Sequence, residues 1–572
     1  MPTARLARSH WLVGLLVALI GLGVAFRFIA LDGKIYWHDE VYTSMRAAGF
    51  TRHEIDTALF QNQFMAAPEL QQFQRIKPGS TAMDTLLSLK IEDPQHPPLY
   101  FWMARGWMHL LGSSITASRL LPALLSLLSL PLMYGLAIEL FRVGQQNSSV
   151  SHSATLPAEM PERMLEEMAA PSQRQISSVW QRRIALMAVA LLALSPFDIL
   201  FAQTARQYSL LTVTLIGSSW LLLRAIRFNH WREWALFSGM AALGFYTHPF
   251  FALTLIGQGV FVLLLWLFSK PRFSRPALRL PLSFLAAAIG ALVLYSPWIW
   301  VLLNHYQRAA ATTDWTRINV GFPYLAKLWT LSFTSLFFDL DFGFDNPLTF
   351  FARLPFLLLI LAALVLIARR TSRLTSSMIL TSIWVPFLLL ALPDLILGGK
   401  RSAVSRYLIS CYPGIQLAVA YLLCAVLARS KRLGYGLLAL VFTGSIVSCT
   451  VSAAADTWWN KDLSYFNAEV LRLVNAKAAA SPVLLSDMGD DYTNMGDLVS
   501  LSYGLQPSVR LFLAAQPADL TPLIPEPIVL VFRASRKLEA AVSQQGWQLE
   551  PVSQQARLWR IVKPFNLNDQ PE

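Results

Sequence analysis

Residues 11–42 read WLVGLLVALIGLGVAFRFIALDGKIYWHDEVY. The run from Trp11 to Ala30 is predominantly apolar, and about 20 such residues are what a helix needs to cross a bilayer. His38-Asp39-Glu40 follow shortly after it, so two adjacent carboxylates and an imidazole are expected at a membrane–water interface. Ionisable groups there are costly to desolvate and are either plain solvated loop or a functional site. Further along, Glu92-Asp93-Pro94-Gln95-His96-Pro97-Pro98-Leu99-Tyr100 sets a second acid pair and a second His before another apolar segment. A wet loop end explains either cluster alone. Two such clusters flanking one loop argue for a site.

The composition agrees with a membrane fold. The 572-residue chain is 55% hydrophobic and only 14% charged, where soluble proteins average about 25% charged. Its mean hydropathy is +0.45. The net charge of +13 does not point to nucleic acid, because the basic residues lie between apolar runs, the positive-inside pattern. Cys411, Cys424 and Cys449 sit in apolar segments without ligand-like spacing, so neither a disulfide framework nor a Cys-based metal site is expected. Arg5 and Arg8 before the first run resemble a signal peptide. The run exceeds an h-region of roughly 7–15 residues, which makes it an uncleaved first span.

Spans are expected near 11–30, 119–140, 184–202, 207–226, 234–247, 250–269, 281–303, 350–368, 377–396, 406–428 and 434–454. Every second connection is basic: Arg142, Arg163, Arg174, Arg182 and Arg183; Arg224, Arg227 and Arg232; Lys270, Arg272, Arg275 and Arg279; Arg369, Arg370 and Arg373; Arg429, Lys431 and Arg432. This alternation puts the N-terminus inside and the C-terminus outside. It requires Pro97–Leu111 to lie on the outer surface as a helix. Arg105 favours that placement, since an Arg at mid-bilayer costs about 2.5–3.5 kcal/mol on the insertion scale. The expected fold is an α-helical polytopic membrane protein of about 11 spans, with a small C-terminal α/β extracytoplasmic domain.

The membrane domain is expected over 1–455, with a first outer loop at 32–118 and a flexible cytoplasmic loop at 142–183. The outer domain is expected over 456–572, where strands are read at Val483–Ser486, Val509–Leu513, Ile528–Phe532 and Leu558–Val562. Helix-like stretches lie at Phe466–Ala479 and Lys537–Gln545. Asp487, Asp490 and Asp491 read as turn chemistry more readily than as a metal cluster. Within the first outer loop, Thr51–Phe64 and Met83–Leu89 are helix-like, and closure of this loop is expected to bring Asp39 and the Glu92–His96 cluster to one cavity.

On this topology the ionisable residues of interest fall on the outer side: Asp39, Glu40, Glu92, Asp93, His96, Arg119, Asp198, Gln203, Arg206, His248, Lys400, Arg401 and Arg406. The last three break the positive-inside rule, which an anionic ligand would explain; headgroup contact is the plainer alternative. A carboxylate to take a proton and cations to stabilise a leaving phosphate suit transfer from a phosphorylated lipid. A transporter or flippase of an anionic or lipid-linked solute is the competing reading, but such proteins keep charged sites near mid-bilayer. A structural membrane protein with an outer interaction domain would give the acid pairs no role.

These residues carry a family resemblance. The acid pair after the first span and His96-Pro97-Pro98-Leu99-Tyr100 resemble the first outer loop of the C superfamily of glycosyltransferases. The chain is most similar there to the protein O-mannosyltransferase and lipid A aminoarabinose transferase group, family 39 and its bacterial relatives. Ser118-Arg119-Leu120-Leu121, Gln203-Thr204-Ala205-Arg206-Gln207-Tyr208-Ser209 and Tyr246-Thr247-His248-Pro249 resemble further elements of that group, over about residues 10–430. The resemblance implies a polyprenyl-phosphate-linked sugar donor and transfer on the outer face of a bacterial inner membrane. Asp39 matches the catalytic acid, with Glu40 beside it. Arg206, His248, Lys400, Arg401 and Arg406 are candidates for the donor phosphate. Glu92, Asp93, His96, Arg119 and Tyr208 are candidates for acceptor contact or site shaping. Asp39, Glu40, Asp93 and His96 are the side chains open to a divalent metal ion, with no cofactor otherwise implied. The acceptor, a protein, lipid or glycan, stays open.

Overall fold

The computed structural model describes residues 3–150, 171–269 and 275–564. The middle of the expected cytoplasmic loop, with Arg163, and the basic residues Lys270 and Arg272 lie outside the described residues. The chain is an integral membrane protein built mostly of helices. Among the described residues eight are long and apolar enough to cross a membrane: Ile115–Arg142, Tyr208–Phe228, Phe251–Phe268, Leu278–Asn304, Pro347–Arg370, Arg373–Leu397, Ser405–Arg429 and Lys431–Asp462. A ninth is a pair, Ser178–Ala193 and Pro196–Ala202, bent by 57°. Pro196 disfavours helix at the residue before it, and Ser195 restarts the helix by accepting the Asp198 N–H at 3.3 Å. The two other expected spans are also helical but shorter: Trp11–Phe26 and Trp231–Thr247, of 17 residues.

The chain divides into two compact units, and the division differs from the expected boundary. One unit comprises Met1–Ile29, Asp93–Tyr100 and Pro122–Ala453; the other comprises Ala30–Glu92, Phe101–Leu121 and Ala454–Glu572. The first loop thus belongs with the C-terminal segment. Strand β1 (Gln63–Ala66) is the physical reason. It pairs antiparallel with β3 (Arg510–Leu513) in a six-stranded sheet of order β1-β3-β2-β4-β6-β5. The other strands are β2 (Val483–Ser486), β4 (Val529–Phe532), β5 (Gln548–Ser553) and β6 (Leu558–Val562). The backbone N–H of Ile35 adds a bond to the Asp456 carbonyl at 2.8 Å.

Strands β3, β2 and β4 are parallel. Every residue of β2 and β4 is buried, as expected for parallel strands covered on both faces. Four strands fall where the sequence places them; β1 and β5 were not anticipated. The expected helix Thr51–Phe64 ends earlier, at Leu59, and its last residues pass into β1. The expected turn chemistry of the acidic trio is present: Asp487 accepts the Gly489 N–H at 3.3 Å and Asp491 the Thr493 N–H at 3.2 Å.

The helix expected at Pro97–Leu111 forms over Leu99–Leu111, with 13 residues. That is shorter than the roughly 20 a span needs. Arg105 on it is buried against the first loop, donating to the Ser80 carbonyl at 2.7 Å and the Ala47 carbonyl at 3.2 Å. Gly49, with φ +96°, ends the helix His38–Ala48 in the left-handed conformation that glycine adopts at least cost.

Candidate functional site

In the unit that holds the first loop, Asp39 lies in the first turn of the helix His38–Ala48. Its neighbour Glu40 is fully buried. Arg119 grips it with two nitrogens, each at 2.8 Å, and Lys461 approaches at 3.4 Å. The Trp37 N–H also donates to Glu40 at 2.9 Å. The remaining Arg119 donors go to the carbonyls of Leu31, Lys34 and Ile35, at 2.7, 3.0 and 2.8 Å. A carboxylate held this way shapes the loop. Arg119, a candidate for acceptor contact, is likewise committed to Glu40 and the loop backbone.

Glu92 is committed too. It accepts the N–H groups of Arg52 and His53 at 2.7 and 3.0 Å, and pairs with Arg46 at 3.3 Å. The first two bonds cap the N-terminus of the helix Arg52–Leu59, where orphan N–H groups favour an anion. Within the expected cluster Glu92–His96, Glu92 and Asp93 thus serve different partners, Glu92 the helix Arg52–Leu59 and Asp93 the ring of His96.

In the membrane unit Asp93 Oδ2 lies 2.9 Å from His96 Nδ1. Arg206 Nη2, 3.1 Å from His96 Nε2, can only donate, so Nε2 accepts and the ring proton of the neutral form lies on Nδ1, facing Asp93. The Trp298 indole N–H holds the same turn through the Pro94 carbonyl at 3.0 Å. Arg206 also lies over the Tyr208 ring at 5.8 Å, and Tyr208 and His96 pack against the His248 ring with centroids 6.1 and 6.2 Å away. His248 Nδ1 accepts the Phe250 N–H at 3.1 Å, which leaves the proton of the neutral ring on Nε2. Burial first, and then the neighbouring His96, Arg206 and Arg406, hold the His248 pKa well below the usual imidazole value.

Arg406 reaches this group from the start of the helix Ser405–Arg429. Its guanidinium lies 5.9 Å from the Trp315 ring, and the Lys400 ammonium lies 5.1 Å from the same ring. Asp394 fixes the intervening turn by accepting the Ser402 N–H and hydroxyl at 2.6 and 2.7 Å. Arg401 opens that turn and is half-buried. Trp315 had no signal in the sequence; only the fold sets it between two cations.

The segment carrying Arg206 is positioned by the broken span. Arg27, fully buried, donates to the Leu192 and Ala193 carbonyls at 3.1 and 2.5 Å, and so satisfies the orphan carbonyls at the helix break. Gln203 then ties the following turn to the Phe26 and Ile29 carbonyls, both at 2.7 Å. Among the described residues no group of three His, Cys, Asp or Glu side chains gathers to hold a metal ion, so the four candidate ligands do not form such a group.

The fold and these clusters define a helical membrane protein with a buried basic cluster. A family model described as dolichyl-phosphate-mannose-protein mannosyltransferase matches residues 175–300, a stretch that contains Arg206, Tyr208 and His248. No curated relative matches the chain. Among solved structures, ArnT from Cupriavidus metallidurans bound to undecaprenyl phosphate is 12% identical over 96% of this chain and 98% of that one, with a TM-score of 0.49. The oligosaccharyltransferase AglB from Archaeoglobus fulgidus, in complex with an inhibitory peptide and a dolichol-phosphate, is 10% identical over 99% of this chain and 75% of that one, with a TM-score of 0.43.

Proposed function

We propose that the chain is a membrane glycosyltransferase that moves a sugar from a polyprenyl-phosphate-linked donor to an acceptor on the outer face of the bacterial inner membrane. The convergence of His96, Arg206 and His248, with Arg406 in their field, carries this reading. Basic groups gathered in a buried place suit contact with an anion. A lipid phosphate is such an anion, and the family match over 175–300 supports it.

In this reading Asp39 takes the proton of the acceptor hydroxyl as its oxygen bonds to the sugar carbon. The bond from that carbon to the phosphate oxygen breaks, and the electron pair leaves with the phosphate. Arg206, Arg406 and the Nε2–H of His248 stabilise the charge as it develops. Glu40 is not the base, because Arg119 and Lys461 already hold it. The alternating basic loops support the outer-face orientation.

The test is release of polyprenyl phosphate by the purified protein, given a panel of polyprenyl-phosphate hexoses and pentoses with an envelope extract as the acceptor source. Turnover of one donor is expected. Asp39→Asn should lower it by about 10²–10⁴-fold while the protein still inserts. Movement of a lipid-linked solute across liposomes with no release from any donor would favour the transporter and overturn the glycosyltransferase.

A further inference from the structure

We propose that the C-terminal segment positions Asp39. Lys461 and Asp497, both after the helix Lys431–Ala454, hold the two residues that flank Asp39 in sequence, Glu40 and His38. This rests on the reading of Asp39 as the base, and it gives the C-terminal segment a part in the reaction.

Two anchors meet the first turn from either side of Asp39. On one side the His38 N–H donates to the Ser464 hydroxyl at 2.9 Å, and the His38 ring nitrogen Nδ1 lies 3.5 Å from Asp497. The same Ser464 hydroxyl donates to Asp497 at 2.7 Å, and Asn467 adds a bond to it at 2.8 Å. Arg533 completes the ring of partners around the Asp497 carboxylate. Burial raises the pKa of Asp497, but Arg533 and His38 outweigh it and hold the group below the usual carboxylate range. Close approach is built into the backbone. A Cβ on Gly496 would stand 2.5 Å from His38 Nδ1, so a larger residue there would push the imidazole away.

On the other side Lys461 pairs with Glu40 at 3.4 Å and lies 5.6 Å from the centre of the Trp37 ring. Successive helical residues are about 100° apart around the axis. Fixing the residues before and after Asp39 therefore fixes the direction in which Asp39 itself projects. His38, Glu40, Lys461 and Asp497 are each tied to a partner at least 79 positions away in sequence or to one another, so the aim of Asp39 is a product of the assembled unit. The catalytic return is large, because a displacement of about 1 Å can cost on the order of 10²-fold in rate.

Thiol labelling tests this without an assay of activity. Cys411, Cys424 and Cys449 are buried, so in an Asp39→Cys protein a polar maleimide reads position 39. Adding Asp497→Asn or Lys461→Met should change the labelling rate by about tenfold, the mark of a local opening. Lys461→Arg should restore it towards the parent rate. A Ser543→Cys reporter, on the exposed face of the helix Arg536–Gln544, should label at one rate throughout. An unchanged rate at position 39, or an equal change at both reporters, would overturn the proposal.

With Asp39 intact, the anchor variants should lower kcat and leave KM for the lipid-linked donor. In an Asp39→Asn background they should add nothing to the loss, since residues acting as a unit are not additive. Full turnover by Asp39→Asn alone would sink the underlying reading. An inactive Asp39→Asn beside fully active anchor variants would sink only the positioning role.

Discussion

The two charged clusters differ in how their charge is balanced. Around His38-Asp39-Glu40 the buried charges meet opposites: Glu40 meets Arg119 and Lys461, and Asp497 meets Arg533 and His38. Around His248, His96, Arg206 and Arg406 all act in the same direction and disfavour a proton on its ring, and Asp93 lies beside His96 at 2.9 Å. A buried pair between opposite charges returns little net stability once desolvation is counted, and removing one partner is what costs. The first cluster is therefore architecture that aims one acid. The second is a group of basic side chains that disfavours a proton on His248. The acid pair that stands out in the sequence is split in role, with Glu40 buried among its partners and Asp39 partly exposed.

The largest expected effect breaks the first half of this comparison. Glu40→Gln leaves Arg119 and Lys461 buried beside a neutral amide, at a cost of about 3–5 kcal/mol. Its thermal transition in detergent should fall well below that of the parent, and less protein should be recovered. Asp39→Asn, one residue away but partly exposed, should melt with the parent. Equal transitions for Glu40→Gln and the parent would show that Glu40 is not a structural charge.

Arg206→Met addresses the second half. A hydrogen bond to a charged group is worth about 1.5–3 kcal/mol. KM for a polyprenyl-phosphate-linked donor should therefore rise by about 10–100-fold, and inhibition by free polyprenyl phosphate should weaken in proportion. A large loss of stability with an unchanged KM would place Arg206 among the structural charges.

Much of the fold was legible because apolar runs of bilayer length leave the chain few alternatives. The eleven expected segments are helical, and the strand of Val529–Phe532 announces itself by its β-branched and aromatic residues. Strand β1 was illegible. Gln63–Ala66 offers four residues with an alternating burial pattern, and only Arg510–Leu513, far along the chain, makes it a strand. The site divides in the same way. Asp39 and His248 could be named from local motifs. The neutralisation of Glu40 by Lys461 could not, because it joins residues 421 positions apart. Such pairings leave no local signal, so Glu40 and Glu92 looked as available as Asp39.

A pH measurement sharpens the contrast by its sign. His248 is held neutral in the folded chain, and on unfolding its pKa returns to about 6.5. Below that pH the unfolded chain binds the extra proton, so this contribution to stability is full above about pH 6.5 and falls as the pH drops, by up to about 1.4 kcal/mol per unit. Asp56 in the other unit acts oppositely. Burial raises its pKa from 3.8 to about 6, with Arg52 opposing, so between those values its contribution falls as the pH rises. In an Asp56→Asn background, melting against pH should show the His248 slope, and His248→Gln should remove it. Polyprenyl phosphate should flatten the slope too, because a bound anion favours the imidazolium. A slope indifferent to both changes would remove His248 from the basic cluster.

The smallest effect decides how far the basic cluster extends. Lys400 is linked to Arg406 through Trp315, whose ring lies 5.1 Å from one cation and 5.9 Å from the other. Such contacts are worth about 0.5–1 kcal/mol at exposed sites, so Trp315→Leu should weaken donor binding by only about 2–5-fold. The backbone should hold without the ring, since the Lys400 N–H still donates to the Thr316 carbonyl at 2.8 Å and Asp394 still caps the turn through Ser402. A measured loss would then belong to the side chains. If Lys400 serves the donor phosphate through this ring, Lys400→Met and Trp315→Leu should each weaken binding, and the double variant should lose less than the sum of the two. If Trp315→Leu binds the donor as the parent does while Arg406→Met does not, Lys400 and Arg401 fall outside the site. The anion would then be held by His96, Arg206, His248 and Arg406 alone.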